Sequence, residues 1–502
     1  MMSEIIVFFF ILLILIAFPF FTHQTKGMPP GDWGLPIFGS IISCACGGTL
    51  SQYIKQLTIT YGAIFHMKLG SRLFIVISDF HIIKAAFGNP DIQGRPNFYS
   101  FKLFKNFKNL GIAVSEGKVW QNGRRFAMRH LKEFGMGKSS LEETIQHEAK
   151  ELIQDLALST GIPKELSWNI NVAVLNVLWK LVADRRYDVK DTEIQHFVKL
   201  TSGDFDDIQG PIALLDIFPF LIFLLPKILK DKWMNVHKME NSRDQVKEFI
   251  MSVIREHQVS LDPSNPRDYI DMYLLEINKH NGGLESTFTL EDLLESLKDL
   301  FNAGSETTSS TLRWFILYMA IHPDIQTKIH AELDHAVPKD KFPTLQDRNK
   351  LHYLEAVIHE VHRKASLAKF GLAHTATKDT RVHGYTIPKG AIVLANIEHC
   401  HNNHDYWEKP QEFYPEHFLD QQGRVVLKRD GFLPFSLGRR QCLGESLART
   451  TLLIFTAAIL HQFVITAPHG EDLSSGVGTE ENPLFNFVKP FKVVLHKKER
   501  VM

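Results

Sequence analysis

The sequence predicts a mainly α-helical protein with a small β part, one large domain behind an N-terminal membrane anchor. Three observations predict it. Apolar residues recur every three or four positions over Ser139–Ser159, Val236–Val259, Leu290–Ile321, Leu351–Lys364 and Gly444–Phe463, the spacing of helices with one buried face. Strand signals are confined to Ala63–Leu69 and Arg72–Ile77 around Gly70-Ser71, and to a short pair within Tyr385–Leu394. Ile5–Phe21 is an apolar run without a charge.

That run comes first in the chain, at the short edge of what spans a bilayer. A cleaved secretory signal wants a basic start and small residues at the cut. Here the start carries Glu4, no Lys or Arg precedes Lys26, and the run ends in Phe18-Pro19-Phe20-Phe21. We therefore expect an uncleaved anchor over residues 1–25. The first positive charge follows the run, which keeps the body, residues 26–502, on the cytoplasmic side. Met28–Gly39 holds three prolines and three glycines, which forbid helix and give a stiff strap. Ile212–Leu225 is a second apolar stretch, interrupted by Asp216 and Pro219. It reads either as a core helix or as a segment dipping into the same membrane face.

A chain of 502 residues has room for about three domains. No internal repeat or low-complexity tract divides it, and Pro263–Arg267 and Gly470–Asn482 read as loops. An apolar share of 44% with 22% charged excludes disorder. Basic and acidic residues balance at 56 each, so no bulk attraction draws nucleic acid. Cys44, Cys46, Cys400 and Cys442 form no CxxC pair and no disulfide scaffold, which suits a reducing compartment.

The chemistry concentrates at Phe435-Ser-Leu-Gly-Arg-Arg-Gln-Cys-Leu-Gly444. Gly438 and Gly444 let backbone approach something large and flat. Arg439 and Arg440 can pair with carboxylates. A helix follows, and its N-terminal dipole favours thiolate at Cys442. A lone thiolate serves as a nucleophile or as one axial ligand to iron, and no paired His/Asn context favours a hydrolase.

A second unusual place is the middle of Leu290–Ile321. Thr289 with Asp292 fits a capping box in its Asp variant. Leu293, Leu297, Leu300, Gly304, Thr307, Thr311 and Trp314 share one face. A gap at Gly304 and a hydroxyl at Thr307 on an otherwise apolar face are locally inconsistent, which often marks function. A Thr can also bond back to the i−4 carbonyl and bend its helix.

The spacing F-x-x-G-x-R-x-C-x-G resembles the haem-binding signature of the cytochrome P450 family, the haem-thiolate monooxygenases. Ala303-Gly-Ser-Glu-Thr-Thr308 resembles that family's oxygen-activation motif. Glu360-Val-His-Arg363 resembles its structural ExxR pair, with Phe413–Phe418 as partner stretch and His417 where many members carry arginine. Trp120-Gln-Asn-Gly-Arg124 resembles its propionate-binding helix. His374 stands where microsomal members often place a propionate-binding histidine, although Lys369 and Ala373 replace common prolines. The strap, Pro266–Asp271 and His322-Pro-Asp324 are similar to the microsomal second-family clan.

The resemblance implies the cytochrome P450 fold and haem b (iron protoporphyrin IX), with Cys442 as axial ligand to its iron. It implies cofactor contacts at Trp120, Arg124, Ala303, His374, Phe435, Arg440, Cys442 and Gly444, and catalytic proton delivery by Glu306 and Thr307. It further implies one atom of O2 inserted into a lipophilic substrate: a steroid, terpenoid, fatty acid or foreign compound. Electrons would come from NADPH–cytochrome P450 reductase and, in some members, cytochrome b5. A docking patch would comprise Arg124, Arg125, Arg129, Lys132, Lys428, Arg429 and Arg439. The implied location is the endoplasmic reticulum membrane, in contact with lipid. The substrate pocket would draw on Phe98–Val114, Leu200–Leu215, the Ala303 face, Phe370–Leu372 and Phe485–Phe487. Two alternatives are a reductase-independent isomerase or dehydratase and a non-catalytic haem carrier or sensor. His399-Cys-His-Asn-Asn-His404 imitates a zinc cluster, but neighbouring residues rarely converge on one tetrahedral ion.

Overall fold

A computed structural model describes residues 27–133, 139–279, 287–476 and 482–498. The expected anchor over 1–25 lies outside the described residues. Among the described residues no helix is long and apolar enough to cross a membrane.

Each periodic stretch is a helix at nearly the expected bounds: Ser139–Ala157, Val236–Ser260, Leu290–Ile321, His352–Ala365 and Glu445–Gln462. Others carry no such pattern in the sequence. Ser167–Ala183 is buried on almost every side, so it has no polar face to alternate with an apolar one. It packs along Leu290–Ile321, the central helix.

The central helix runs through two cores. Leu312 and Trp314–Met319 belong to one, together with residues of Glu445–Gln462 and His352–Ala365. Leu293, Leu294, Leu297 and Phe301 belong to the other, with Trp179, Phe197 and Tyr273. Burying each such side chain stabilises by about 1.5–3 kcal/mol, so both ends of the helix are firmly held. The small and hydroxylated stretch between them lies where neither core closes.

The main sheet has the order β1 (Gly31–Asp32), β2 (Ile64–Leu69), β3 (Arg72–Ile77), β7 (Ile392–Ala395), β4 (His374–Thr375). The predicted hairpin is β2 (Ile64–Leu69) with β3 (Arg72–Ile77), antiparallel, Leu69 opposite Arg72 across the turn. The pair expected within Tyr385–Leu394 does not form. Tyr385–Ile387 (β6) pairs with Thr380–Val382 (β5), and Ile392–Ala395 (β7) lies parallel to β3 and antiparallel to His374–Thr375 (β4). The fully apolar IVLA of β7 is buried on both faces and needs a central place in the larger sheet. The strap enters this sheet through Gly31–Asp32 (β1), parallel to β2.

Candidate functional site

The Phe435–Gly444 loop ends where the helix Glu445–Gln462 begins, with Gly444 as its N-cap. Positive φ at Ser436 (+58°) and Gly438 (+79°) turns the loop back on itself. The Cys442 N–H then donates to the Phe435 carbonyl at 3.0 Å. A Cβ on Gly438 would lie 2.1 Å from the Phe87 carbonyl oxygen. This glycine therefore serves protein packing, not approach to a ligand. Gly444 differs: a Cβ there meets no protein atom within 4 Å, and the residue borders a cavity.

Cys442 presents its thiol to that cavity, with protein around it on the other sides. Burial pushes the thiol pKa up, against the Gly444 and Glu445 N–H groups and the Arg124 charge. The helix terminus acts in the expected direction, towards the thiolate, but burial acts more strongly the other way.

At one end of the cavity stand three guanidiniums: Arg95, Arg124 and Arg440. Arg95 donates to the carbonyls of Ala113, Leu372 and Ala373, each at 2.9 Å. Arg124 donates to Gln441 O at 2.6 Å, and Arg440 to Gln93 O at 3.0 Å and Ser115 O at 2.7 Å. No carboxylate among the described residues forms an ion pair with any of them; Glu116 is nearby but accepts from the Arg95 backbone N–H. Burial first, then the charges of Arg440 and Arg124, pushes Arg95 well below its usual range. Burial pushes Arg440 down to about 9.

Trp120 lies under the Arg440 guanidinium, 3.8 Å from its ring centroid, and its buried indole N–H finds no partner. His374 stacks on Phe87 at 3.9 Å, with Nδ1 donating to Ile92 O. Burial and the Arg95 charge push it down to about 3. Trp120 and His374 stand behind the arginines rather than among the residues that border the cavity. Sequence reading missed Arg95. Its signal is the Gly94-Arg95-Pro96 turn after Asn89, which no helical or strand period announces.

Ala303, Gly304, Thr307, Thr308 and Thr311 of the central helix border the cavity. The Thr307 hydroxyl donates to the Ala303 carbonyl at 2.6 Å, the i−4 bond that competes with helix geometry. Gly304 leaves no hole; a Cβ would lie 2.7 Å from Leu178 Cδ1, so the gap is filled by the neighbouring helix. Glu306 is not brought to the cavity beside Thr307. Successive helical residues point about 100° apart, and Ser202 donates to Glu306 Oε2 at 2.9 Å. The Thr289 hydroxyl accepts from Asp292 N–H, yet the Asp292 carboxylate does not return the bond and goes to Gly111 N–H at 2.8 Å.

Glu360 and Arg363 are 0% exposed. They meet through two bonds of 2.6 and 2.7 Å. Arg363 also donates to the carbonyls of His401, Pro410 and Glu412, while Glu360 accepts from Tyr414 N–H and faces His417 Nδ1 at 3.3 Å. His401 bonds Ser366 and Leu433 N–H, so the His399–His404 segment belongs to this scaffold and not to a zinc site.

The central helix, the Cys442 loop and the arginines enclose a cavity of about 330 Å³. Its donor set is a lone thiol at the wall and a surplus of buried cations at one end. That set fits a flat dianion carrying a metal cation. The match to the family model for cytochrome P450 covers residues 29–490. The chain belongs to the cytochrome P450 family. It is 44% identical to cytochrome P450 2L1 of Panulirus argus over 95% of this chain and 96% of that one. It is 34% identical to cytochrome P450 2J1 of Oryctolagus cuniculus, over 91% of each, and 35% to cytochrome P450 2J2 of Homo sapiens, over 90% and 88%.

This cytochrome P450 is a haem-thiolate monooxygenase whose cofactor is haem b. The residues present fit that group: the guanidiniums of Arg95, Arg124 and Arg440 suit anionic carboxylates and the Cys442 thiol suits a metal ion. Ile112 and Ala113 of the Phe98–Val114 stretch border the cavity, as do Gly371 and Leu372. Among the described residues none of Leu200–Leu215 or Phe485–Phe487 borders it. Within the expected docking patch, Arg125, Arg129, Lys132, Lys428 and Arg439 are exposed. Arg124 turns inward, and Arg429 donates to His417 O over the Trp407 ring.

Proposed function

We propose that this protein is a membrane-associated monooxygenase that takes lipophilic substrates and receives NADPH electrons from a separate flavoprotein reductase. The observation that carries the reading is the Cys442 thiol facing the Thr307 side of the central helix across an apolar cavity with three arginines at its end, none of them in an ion pair among the described residues. Cys442 would ligate the iron, with Phe435 and Gly444 bordering the group. Arg95, Arg124 and Arg440 would hold the propionates, with Trp120 and His374 supporting them from behind. Haem, when bound, supplies the activation of dioxygen.

The chain's own residues then divide the remaining work. Ile112, Ala113, Leu300 and Ala303 offer an apolar wall that orients a lipophilic guest and excludes water. Thr307 holds a hydroxyl at the cavity wall, its proton on the Ala303 carbonyl. Glu306 keeps a carboxyl one position away on Ser202, and must leave that partner to pass a proton to Thr307.

The membrane reading draws support from the surface. Leu35, Ile37 and Phe38 of the strap are exposed, as are Phe220, Phe223 (89%), Leu224, Ile228 and Trp233. Phe38 and Phe218 meet at 6.3 Å, which joins both groups on one face. A patch of this kind, flanked by Lys227, Lys230 and Lys232, suits the boundary of a bilayer. The stretch Ile212–Leu225 divides accordingly. Ile212, Leu215 and Phe218 are buried, while beyond Pro219 Phe220, Phe223 and Leu224 face outward and Leu221, Ile222 and Leu225 pack back against the Ile212–Leu215 core.

The test is turnover with added reductase. NADPH consumption coupled to an oxygenated product is expected with a lipophilic substrate. Rearrangement of an organic peroxide without reductase, and no NADPH-driven product, would favour the isomerase reading instead.

A further inference from the structure

Outside the haem site the most unusual chemistry is a group of charges buried between the central helix and the segment Tyr99–Ala113. Lys105 and Lys298 are 2% and 1% exposed. Lys105 Nζ meets Asp299 Oδ1 at 2.7 Å, Glu295 Oε2 at 3.0 Å and the Glu295 carbonyl at 3.1 Å. Lys298 Nζ meets both Glu295 oxygens at 3.1 and 3.2 Å and the Phe104 carbonyl at 3.0 Å. It also lies 4.4 Å from the Phe104 ring centroid.

The same carboxylates capture backbone. Asp299 Oδ2 accepts from the N–H groups of Ile112 (2.7 Å) and Ala113 (3.0 Å), and Asp292 Oδ1 from Gly111 (2.8 Å). Gly111 has φ +80°, and a Cβ there would fall 2.4 Å from Asp299 Oδ2, so the loop presses directly on the carboxylate. Burying two ammoniums and three carboxyl groups is costly, and nothing in helix formation requires it. Two apolar contacts would pack these elements together equally well. What ions add is a defined register: the carboxylate that holds Ile112 and Ala113 through one oxygen is bonded by Lys105 through the other. Lys105 touches no cavity surface, whereas Ile112, Ala113 and Asp299 do.

We propose that Lys105 is a positioning residue for the substrate cavity: through Asp299 it latches the 104–113 segment to the central helix and so fixes the wall made by Ile112 and Ala113. The proposal deepens the substrate-cavity reading. Its test can fail while that reading stands, because it reads backbone protection rather than product.

Amide hydrogen exchange of the haem-loaded protein is the measurement. In the wild type, peptides spanning 104–114 should exchange about as slowly as the central helix, although most of that segment has no regular structure. Fast exchange there overturns the latch without any variant. Lys105→Met should raise exchange in 104–114 at least tenfold and leave the central helix and the Cys442 loop unchanged, with the carbon-monoxide spectrum intact. Lys105→Arg should restore slow exchange. Unchanged exchange in Lys105→Met, or loosening spread evenly over the protein, overturns the proposal.

Discussion

Two groups of buried cations lie within one cavity wall of each other, and they are built in opposite ways. Lys105 and Lys298 are surrounded by Glu295 and Asp299, so charge is balanced within the chain. Arg95, Arg124 and Arg440 bond carbonyls, repel one another, and have only the charge of Glu116, outside ion-pair distance, to set against three cations. A balanced buried cluster needs nothing from outside and acts as a structural lock. An unbalanced one is complete only when an anion arrives. The difference tells a ligand site from a scaffold without reference to any motif, and Glu360–Arg363 falls on the scaffold side by the same reasoning.

The largest expected effect tests the balanced side. Glu360→Gln removes the charge that compensates a fully buried Arg363, and losing one partner of such a pair costs about 3–5 kcal/mol. Denaturant unfolding should register this loss with and without haem, since the pair lies outside the cavity. A loss seen only in the haem-loaded form would place Glu360 on the ligand side and break the comparison.

Arg124→Met should do the reverse. Arg124 makes a single bond to the chain, to Gln441, and faces like charges. Haem affinity, read by transfer to apomyoglobin, should fall about tenfold, which corresponds to about 1.4 kcal/mol. Stability of the haem-free protein should change by less than about 1 kcal/mol. Strong destabilisation of the haem-free form would mean that the arginines are scaffold after all.

A smaller effect sharpens the balanced class with a titratable member. His257 is buried between the Val253 carbonyl on Nδ1 (2.8 Å) and Asp268 on Nε2 (2.8 Å); both are acceptors, which calls for a proton on each ring nitrogen. Burial opposes that charge, but the bonds and charge of Asp268 prevail and the folded pKa is raised above 6.5. A raised folded pKa means the contribution is fully present below the unfolded value, about 6.5, and is lost as pH rises through the folded one. Stability of His257→Gln relative to wild type, followed by urea unfolding across this window, should show the deficit shrinking as pH rises. A deficit that is constant with pH would show that the imidazole is neutral.

The smallest effect concerns Gly304, where a methyl group would press on Leu178. Gly304→Ala should cost less than about 1 kcal/mol net, the low end of the overpacking cost offset by the better helix propensity of alanine. Thermal unfolding checks the sign: an unchanged or higher Tm would mean that Leu178 yields freely.

Much of this was legible in the sequence, and the reasons for the rest are physical. The central helix has the expected bounds because its polar and apolar faces alternate and Thr289 caps it. The Cys442 loop was legible because glycine, arginine and cysteine at fixed spacing leave few other chemistries. Ser167–Ala183 was not, since a helix buried all round carries no period. β7 was assigned the wrong partner because a fully apolar strand does not state which neighbour it joins. Arg95 and Lys105 escaped because their meaning is spatial. Arg95 matters through two arginines distant in sequence, and Lys105 through carboxylates on a helix that begins at Leu290. Glu306 and Thr307 are neighbours in sequence but are sent to different surroundings by the helix turn itself.

The central claim is that Cys442, as thiolate, is the protein's bond to the haem iron. The most direct measurement is the reduced, carbon-monoxide-bound absorption spectrum of wild type and Cys442→Ser at equal haem content. The account predicts the strongly red-shifted Soret band of thiolate ligation in the wild type and its loss in the variant. A wild-type Soret band at the position of imidazole-ligated haem, or a variant that keeps the red-shifted band, would contradict it.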